Sequence, residues 1–206
     1  DRLRLLVMSA TLDADAVARL LADAPVIRSE GRQYPVTVHY GAAAKQRERI
    51  VDRVVPAVLE ARRVHPDSSQ LVFLPGQGEI RRTAEALEGR CGSADVRPLY
   101  GGLDLDAQRR AIAPSTTPKI VLATNIAETS LTIEGVDVVV DAGFARQPAF
   151  DPRSGMTRLE LRRIARDAAE QRAGRAGRLR PGVCYRLWSA QQQEQLAAST
   201  EAEILG

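Results

Sequence analysis

Residues 119–141 read KIVLATNIAETSLTIEGVDVVVD. Residues 119–123 and 136–140 are short, near-continuous apolar runs with little alternation. A strand with one wet face alternates; a strand that does not is covered on both faces, as in a parallel sheet flanked by helices. The segment between them is polar but carries no net positive charge. Thr124, Asn125, Thr129, Ser130 and Thr132 offer hydroxyl and amide groups just past the end of a buried strand, the place where open α/β sheets bind ligands. Such groups, with backbone N–H, contact phosphate and sugar oxygens without reading a base sequence. An ordinary βα loop with Ser and Thr caps has the same composition.

Working outward, strands are expected at 70–74 and 95–99 and helices at 78–87 and 104–112. This βα rhythm makes the chain from Ser69 onward an open, mostly parallel α/β sheet with helices on both faces. Upstream, 3–8 reads as a buried strand, Thr11 as the cap of a helix over about 13–21, and 25–28 as a short strand. Residues 36–40 alternate like an exposed or edge strand. Residues 45–63 have helical periodicity, which Pro56 should kink or divide. Downstream the rhythm breaks. Residues 144–150, a DPRSG turn at 151–155 and residues 156–161 read as a β-hairpin. A helix over about 167–176, a strand at 182–187 and a polar helix at 190–198 follow. Both ends of the sequence look cut from a longer protein.

Bulk properties narrow the function classes. The 206 residues are 44% apolar and 27% charged, an ordinary globular composition with enough apolar material for a core. The longest apolar stretches are about four residues, far from the ~20 of a membrane helix. No apolar signal-peptide region follows the start DRLRLL. Cys91 and Cys184 are isolated and read as packing residues in a reducing compartment. His39 and His65 read as structural or exposed, and Tyr185 and Trp188 as packing for the last strand. No metal cluster and no Ser-His-Asp grouping is evident. Only Lys45 and Lys119 are lysines, so 27 of the 29 basic residues are arginine, within a net charge of +3. An arginine-rich genome accounts for that bias; so does phosphate recognition by planar guanidinium groups.

Position separates the two readings at residues 171–178, QRAGRAGR. On a helix, Gln171, Arg175 and Arg178 at i, i+4 and i+7 share one face within roughly 60°, and Arg172 points elsewhere. Gly174 and Gly177 each cost the helix ~1 kcal/mol against alanine. Close approach of a ligand or of facing backbone is a reason to keep them. Two guanidinium groups and an amide on one face suit a triphosphate whose transition-state charge spreads over the γ-oxygens. Two further strand-to-helix junctions are Ser9-Ala10-Thr11 and the glycine-rich LPGQGEI at 74–80. There is no G-x-x-x-x-G-K-[ST], so the sequence has no P-loop of its own.

In this order, SAT, FLPG-x-GEI, PLYGGL, ATNIAETSLTIEG and QRAGRAGR resemble the DEAH-type superfamily 2 helicases over nearly the full length. LVFLPGQGEI, EGRQYPV and FDPRSGMTRL are most similar to the bacterial HrpB-type branch. The resemblance implies a RecA-like fold of the P-loop NTPase type with an inserted hairpin at about 144–161. Residues 1–30 would end a first RecA-like domain, 31–188 would form the second, and 189–206 would lead into a winged-helix domain. ATP with Mg²⁺ would be held mainly by the first domain. Gln171 would place the attacking water, and Arg175 and Arg178 would be arginine fingers. Ser130 and Thr132 would sense the nucleotide from the other side, and Glu134 matches an acidic position near the ribose. Ile112 falls where relatives place an aromatic residue on the adenine, and gives only apolar contact. Gly76, Gln77, Thr124, Asn125 and Thr129 would hold the RNA backbone. Ser9, Ala10 and Thr11 would couple ATP state to domain movement. The partners implied are single-stranded or duplex RNA and the other domains of the same protein, in a cytoplasmic monomer. A DNA-directed motor and a non-catalytic nucleic-acid-binding module are the rival readings.

Overall fold

The structure is a computed structural model that describes residues 7, 18–19, 21–22, 24–27, 34–43, 48–128, 133–151 and 155–199. The chain divides into two compact units, Asp1–Arg32 and Gln33–Gly206. In the first, residues 18–19 are helical and the chain turns at Ala22, which has φ 56°. Residues 24–27 form no strand, contrary to expectation, and Val26 and Ile27 are exposed. The strand expected at 3–8 lies outside the described residues except for Val7, as do most of the helix and Ser9, Ala10 and Thr11.

The second unit runs β1 (Val36–Tyr40), α1 (Ile50–Val64), β2 (Ser69–Phe73), α2 (Gln77–Leu87), β3 (Asp95–Leu99), α3 (Leu105–Ile112), β4 (Lys119–Ala123), β5 (Val136–Asp141), β6 (Phe144–Asp151), β7 (Met156–Arg163), α4 (Arg166–Ala173), β8 (Gly182–Arg186) and α5 (Ala190–Glu194). Six strands form one parallel sheet in the order β1-β8-β5-β2-β4-β3. The two runs that flank the polar segment are central: β4 and β5 pair with β2 from opposite sides, and every residue of both is buried. The alternating β1 is an edge strand, with Val36 and Val38 half-buried and Thr37, His39 and Tyr40 exposed.

Period-two geometry sends successive side chains of each central strand to opposite faces. Val72, Leu74, Ile120, Leu122, Val138 and Val140 face Val54, Val58 and Ala61 of α1 and Ile80 and Leu87 of α2. Leu71, Phe73, Val121, Ala123, Val139 and Cys184 face the other way. They meet Ala111 of α3, Ala127 and Ile133 of the segment after β4, Ala173 at the end of α4 and Ala176 just beyond it. The polar segment therefore anchors its two ends in the core. Helix α1 runs unbroken through Pro56, which is exposed, so the carbonyl that loses its amide partner can turn to water. Helix α5 is shorter than expected and begins with a capping box between Ser189 and Gln192.

Lys119, at the start of β4, is buried, and its Nζ donates to the carbonyls of Ala111, Ile112 and Ala113 at 3.3, 3.2 and 2.6 Å. It closes the C-terminus of α3, where orphan carbonyls and the helix dipole favour a cation. Burial, then Arg97, pushes its ammonium below the usual lysine range, while Glu134 pulls it back. Lys119→Met should lower unfolding stability by about 2 kcal/mol, read by urea denaturation, because the buried carbonyls lose their donor. An unchanged midpoint would remove Lys119 from the folding account.

Strands β6 and β7 form the expected hairpin as a separate antiparallel pair, in register from Phe144↔Arg163 to Asp151↔Met156. Its root packs through Ala145 and Ile164 against Trp188. Gly143 makes the turn into it at φ 79°, and a Cβ there would lie 2.7 Å from the Trp188 ring. Trp188 is buried, with its Nε1 donating to Gln193 Oε1 at 2.9 Å. Among the described residues no helix is long and apolar enough to cross a membrane, and no group of three His, Cys, Asp or Glu could hold a metal ion.

Candidate functional site

The candidate residues fall into two groups in the sheet. Gly76 and Gln77 follow β2, and Thr124 and Asn125 follow β4. These strands are neighbours, so their carboxyl ends bring the four residues together. The Leu74 N–H donates to the Ala123 carbonyl at 2.8 Å, and the Thr124 N–H donates to the Leu99 carbonyl at 3.2 Å, which fixes the ends of β2, β4 and β3 together. Gly76 is the N-cap of α2. A Cβ there would meet the Arg146 Nε at 2.7 Å, so glycine leaves room for a side chain reaching over from the hairpin. Gln77 is exposed and its Nε2 donates to the Tyr100 hydroxyl at 3.0 Å. Thr124 precedes a single 3₁₀ turn, Asn125–Ala127, but its side chain makes no capping bond. Capping therefore does not account for this hydroxyl, and Asn125 beside it is exposed.

Gln171 lies in α4, and the α-helix stops at Ala173, not near Ala176. Beyond Gly174 the N–H groups of Arg175, Ala176 and Gly177 donate three residues back, at 3.1, 3.0 and 3.3 Å, so the chain tightens to a 3₁₀-like turn. The single α-helical face expected for Gln171, Arg175 and Arg178 is thus broken between the first and the other two. Of the two glycines, Gly177 has close packing as its reason. Its carbonyl accepts the Tyr34 N–H at 2.8 Å, and a Cβ would meet the Tyr34 carbonyl and lie 2.7 Å from Val36. At Gly174 a Cβ would make ordinary contacts, 3.4 and 3.5 Å from two helix carbonyls.

Arg175 is only 7% exposed, and its guanidinium donates to the backbone carbonyl of Glu128. Burial, then the like charge of Arg178, pushes its pKa down to about 10, with Glu128 pulling the other way. Arg178 is exposed. The side-chain oxygen of Gln171 is buried and makes no hydrogen bond to a described residue. Thr129, Ser130 and Thr132 lie outside the described residues. Glu134 is exposed just before β5. It lines a cleft of about 330 Å³ with Ser69 and Lys119, at the amino ends of β2 and β4, and with Leu179 and Arg180. Ile112, half-buried against the core, ends α3 and gives its carbonyl to Lys119. Glu134 and Ile112 thus gather round Lys119, toward the end of the sheet opposite Thr124 and Gly76.

The sequence reading missed Arg172, which it set aside as pointing elsewhere. Arg172 is 1% exposed. Its Nε donates to Glu128 Oε2 at 3.0 Å and its Nη1 to Asp141 Oδ1 at 2.9 Å, while its guanidinium stacks over Phe73 at 4.8 Å. Burial alone would lower its pKa, but Asp141 and then Glu128 hold it above the usual value. Burial raises the Glu128 carboxyl in spite of Arg172. The missed signal is the pair of aspartates bounding β5: VDVVVD puts Asp137 and Asp141 on a fully buried strand, where carboxylates need partners. Arg180 answers Asp137 in a bidentate pair, with Nε at 2.6 Å, and Arg172 answers Asp141.

Comparison with known proteins agrees with this architecture. Residues 52–180 match the helicase conserved C-terminal domain. The chain is 51% identical, over 209 aligned residues, to the ATP-dependent RNA helicase HrpB of Escherichia coli strain K12, covering 100% of this chain and 26% of that protein. A crystal structure of the E. coli DEAH/RHA helicase HrpB matches with a TM-score of 0.87 at 50% identity, over 96% of this chain and 25% of the other. A second, of the E. coli DExH-box NTPase HrpB, gives 0.85 at 50% identity, over 96% and 24%. The chain therefore spans about a quarter of the length of the relatives it matches. The parallel six-stranded sheet, its helices and the structural match to HrpB establish a RecA-like α/β fold, and with the family match spanning both central strands and the arginine turn, the chain belongs to the helicase conserved C-terminal domain family.

Proposed function

We propose that this chain is the second motor domain of an ATP-dependent RNA helicase similar to HrpB, with residues 31–188 as the second RecA-like domain, 1–30 as the end of the first and 189–206 as the lead-in to a winged-helix domain. The observation that carries the proposal is the Arg175–Arg178 pair. A buried guanidinium pushed down by burial and by a like charge gains from an anion brought beside it. Gln171, four residues before Arg175 in the chain, has a side-chain oxygen without a hydrogen-bond partner among the described residues, an acceptor for a water proton. Both fit the γ-phosphate end of ATP.

ATP held there supplies the phosphoanhydride bond whose cleavage drives the cycle. Arg175 and Arg178 stabilise the charge that develops on the transferred phosphoryl, and Gln171 orients the attacking water. Glu134, Ile112, Ser130 and Thr132 contact the nucleotide. Gly76, Gln77, Thr124 and Asn125 hold the RNA backbone at the other end of the sheet, Thr129 shares that role, and Ser9, Ala10 and Thr11 couple the two functions. Domain closure assembles the site, and hydrolysis reopens it.

ATP hydrolysis by the full-length protein, measured with matched RNA and DNA strands, tests the function: RNA should stimulate more strongly. Stimulation by DNA alone, or no hydrolysis, overturns it. Thr124→Ala should weaken RNA binding about tenfold, the value of a hydrogen bond to a charged group, with the melting temperature unchanged. Equal RNA affinity in both proteins would remove Thr124 from the interface.

A further inference from the structure

Glu128 touches both halves of the site. On one side it ends the turn that begins at the RNA-contact residues. The Ala127 N–H donates to the Thr124 carbonyl at 3.2 Å and the Glu128 N–H donates to the Asn125 carbonyl at 2.9 Å, so Thr124, Asn125 and Glu128 belong to one hydrogen-bonded unit. On the other side its own carbonyl accepts the guanidinium of Arg175. Its carboxylate is held by Arg172, which is itself fixed by Asp141 at 2.9 Å, by the Phe144 carbonyl at 3.4 Å and by the Phe73 ring. Asp141 in turn accepts the Gly143 N–H at 2.8 Å. The anchor therefore sits at the buried carboxyl ends of β2 and β5.

We infer that Glu128 is a positioning residue that links RNA contact to ATP hydrolysis: Arg172 fixes its carboxylate, and its carbonyl holds Arg175, so a shift of the Thr124–Asn125 turn on RNA is passed to Arg175. The link rests on the reading of Arg175 as an arginine finger and of Thr124 and Asn125 as RNA contacts. Two features separate it from plain scaffolding. Glu128 is bonded through its backbone to both functional groups, and its side chain is tied to an arginine with no place in the chemistry. Removing the carboxylate frees the turn from its anchor while leaving every RNA- and phosphate-facing group present.

The test uses the full-length protein, with ATP hydrolysis followed with and without RNA. Glu128→Ala should lower the RNA-stimulated kcat about tenfold, a normal size for coupling between two sites. The KM for ATP and the Kd for RNA should stay within about twofold of the parent, below the threshold of a lost hydrogen bond. Glu128→Gln keeps an acceptor for Arg172 and should recover most of the stimulation. A Glu128→Ala protein that keeps full stimulation overturns the inference, as does a uniform loss of kcat, ATP affinity and RNA affinity in both variants. The parallel Arg175→Ala protein separates the two levels. If it loses hydrolysis while Glu128→Ala is unaffected, only the link falls; if Arg175→Ala hydrolyses ATP normally, the finger reading falls and the link with it.

Discussion

Arg175→Ala in the full-length protein should hydrolyse ATP about 10³-fold more slowly at saturation, with a smaller change in KM. The expected split follows from where the charge is needed. A guanidinium aimed at the γ-phosphate matters most when negative charge spreads in the transition state, so its removal costs kcat more than binding. The folded state should survive. Removing this buried cation relieves repulsion from Arg178, and the hydrogen bond to the Glu128 carbonyl that goes with it is worth about 1 kcal/mol. Arg175→Lys should remain slow, since a point charge cannot reproduce a planar fork. A kcat equal to that of the parent would end the assignment of Arg175 as a finger.

Three residues earlier the same substitution should do something different. Arg172→Ala is expected to cost 3–5 kcal/mol of stability, roughly the value for breaking a buried ion pair, and to lower the urea midpoint accordingly. The Asp141 side chain is 0% exposed and its Oδ2 already lacks a hydrogen-bond partner, so without Arg172 it becomes an uncompensated buried charge. Phe73 also loses the guanidinium stacked on it, and a void opens in the core. Loss of ATP hydrolysis in this variant should follow loss of the fold. A variant that melts like the parent, yet is slow, would move Arg172 from the core into the chemistry.

The two arginines show how far the sequence carried. QRAGRAGR singled out one segment, but α-helical spacing favoured Gln171, Arg175 and Arg178 as one row and dismissed Arg172. The helix ends at Ala173, the turn beyond it is tighter, and Arg172 is the most deeply engaged of the arginines in the segment. Spacing rules assume that a helix continues. Here two glycines weaken it, and the Tyr34 backbone takes the space that a side chain at 177 would need. The break was written in the glycines; the partner that makes glycine necessary at 177 lies more than a hundred residues away.

The same division runs through the fold. Residues 119–141 by themselves determined that two buried parallel strands flank a polar segment, because an unbroken apolar run of strand length must be covered on both faces. They also determined that hydroxyls and amides stand at a strand end. The hairpin, the β2–α2 and β3–α3 units and the edge character of β1 were likewise legible, since period and turn chemistry are local. Only the tertiary structure decided that β2 lies between β4 and β5, that Asp141 and Glu128 converge on Arg172, and that the carbonyl of Glu128 meets Arg175. Those facts join residues 31 to 68 positions apart. Buried charge must find an opposite charge, but which one it finds depends on how the sheet is ordered, and no local pattern records that.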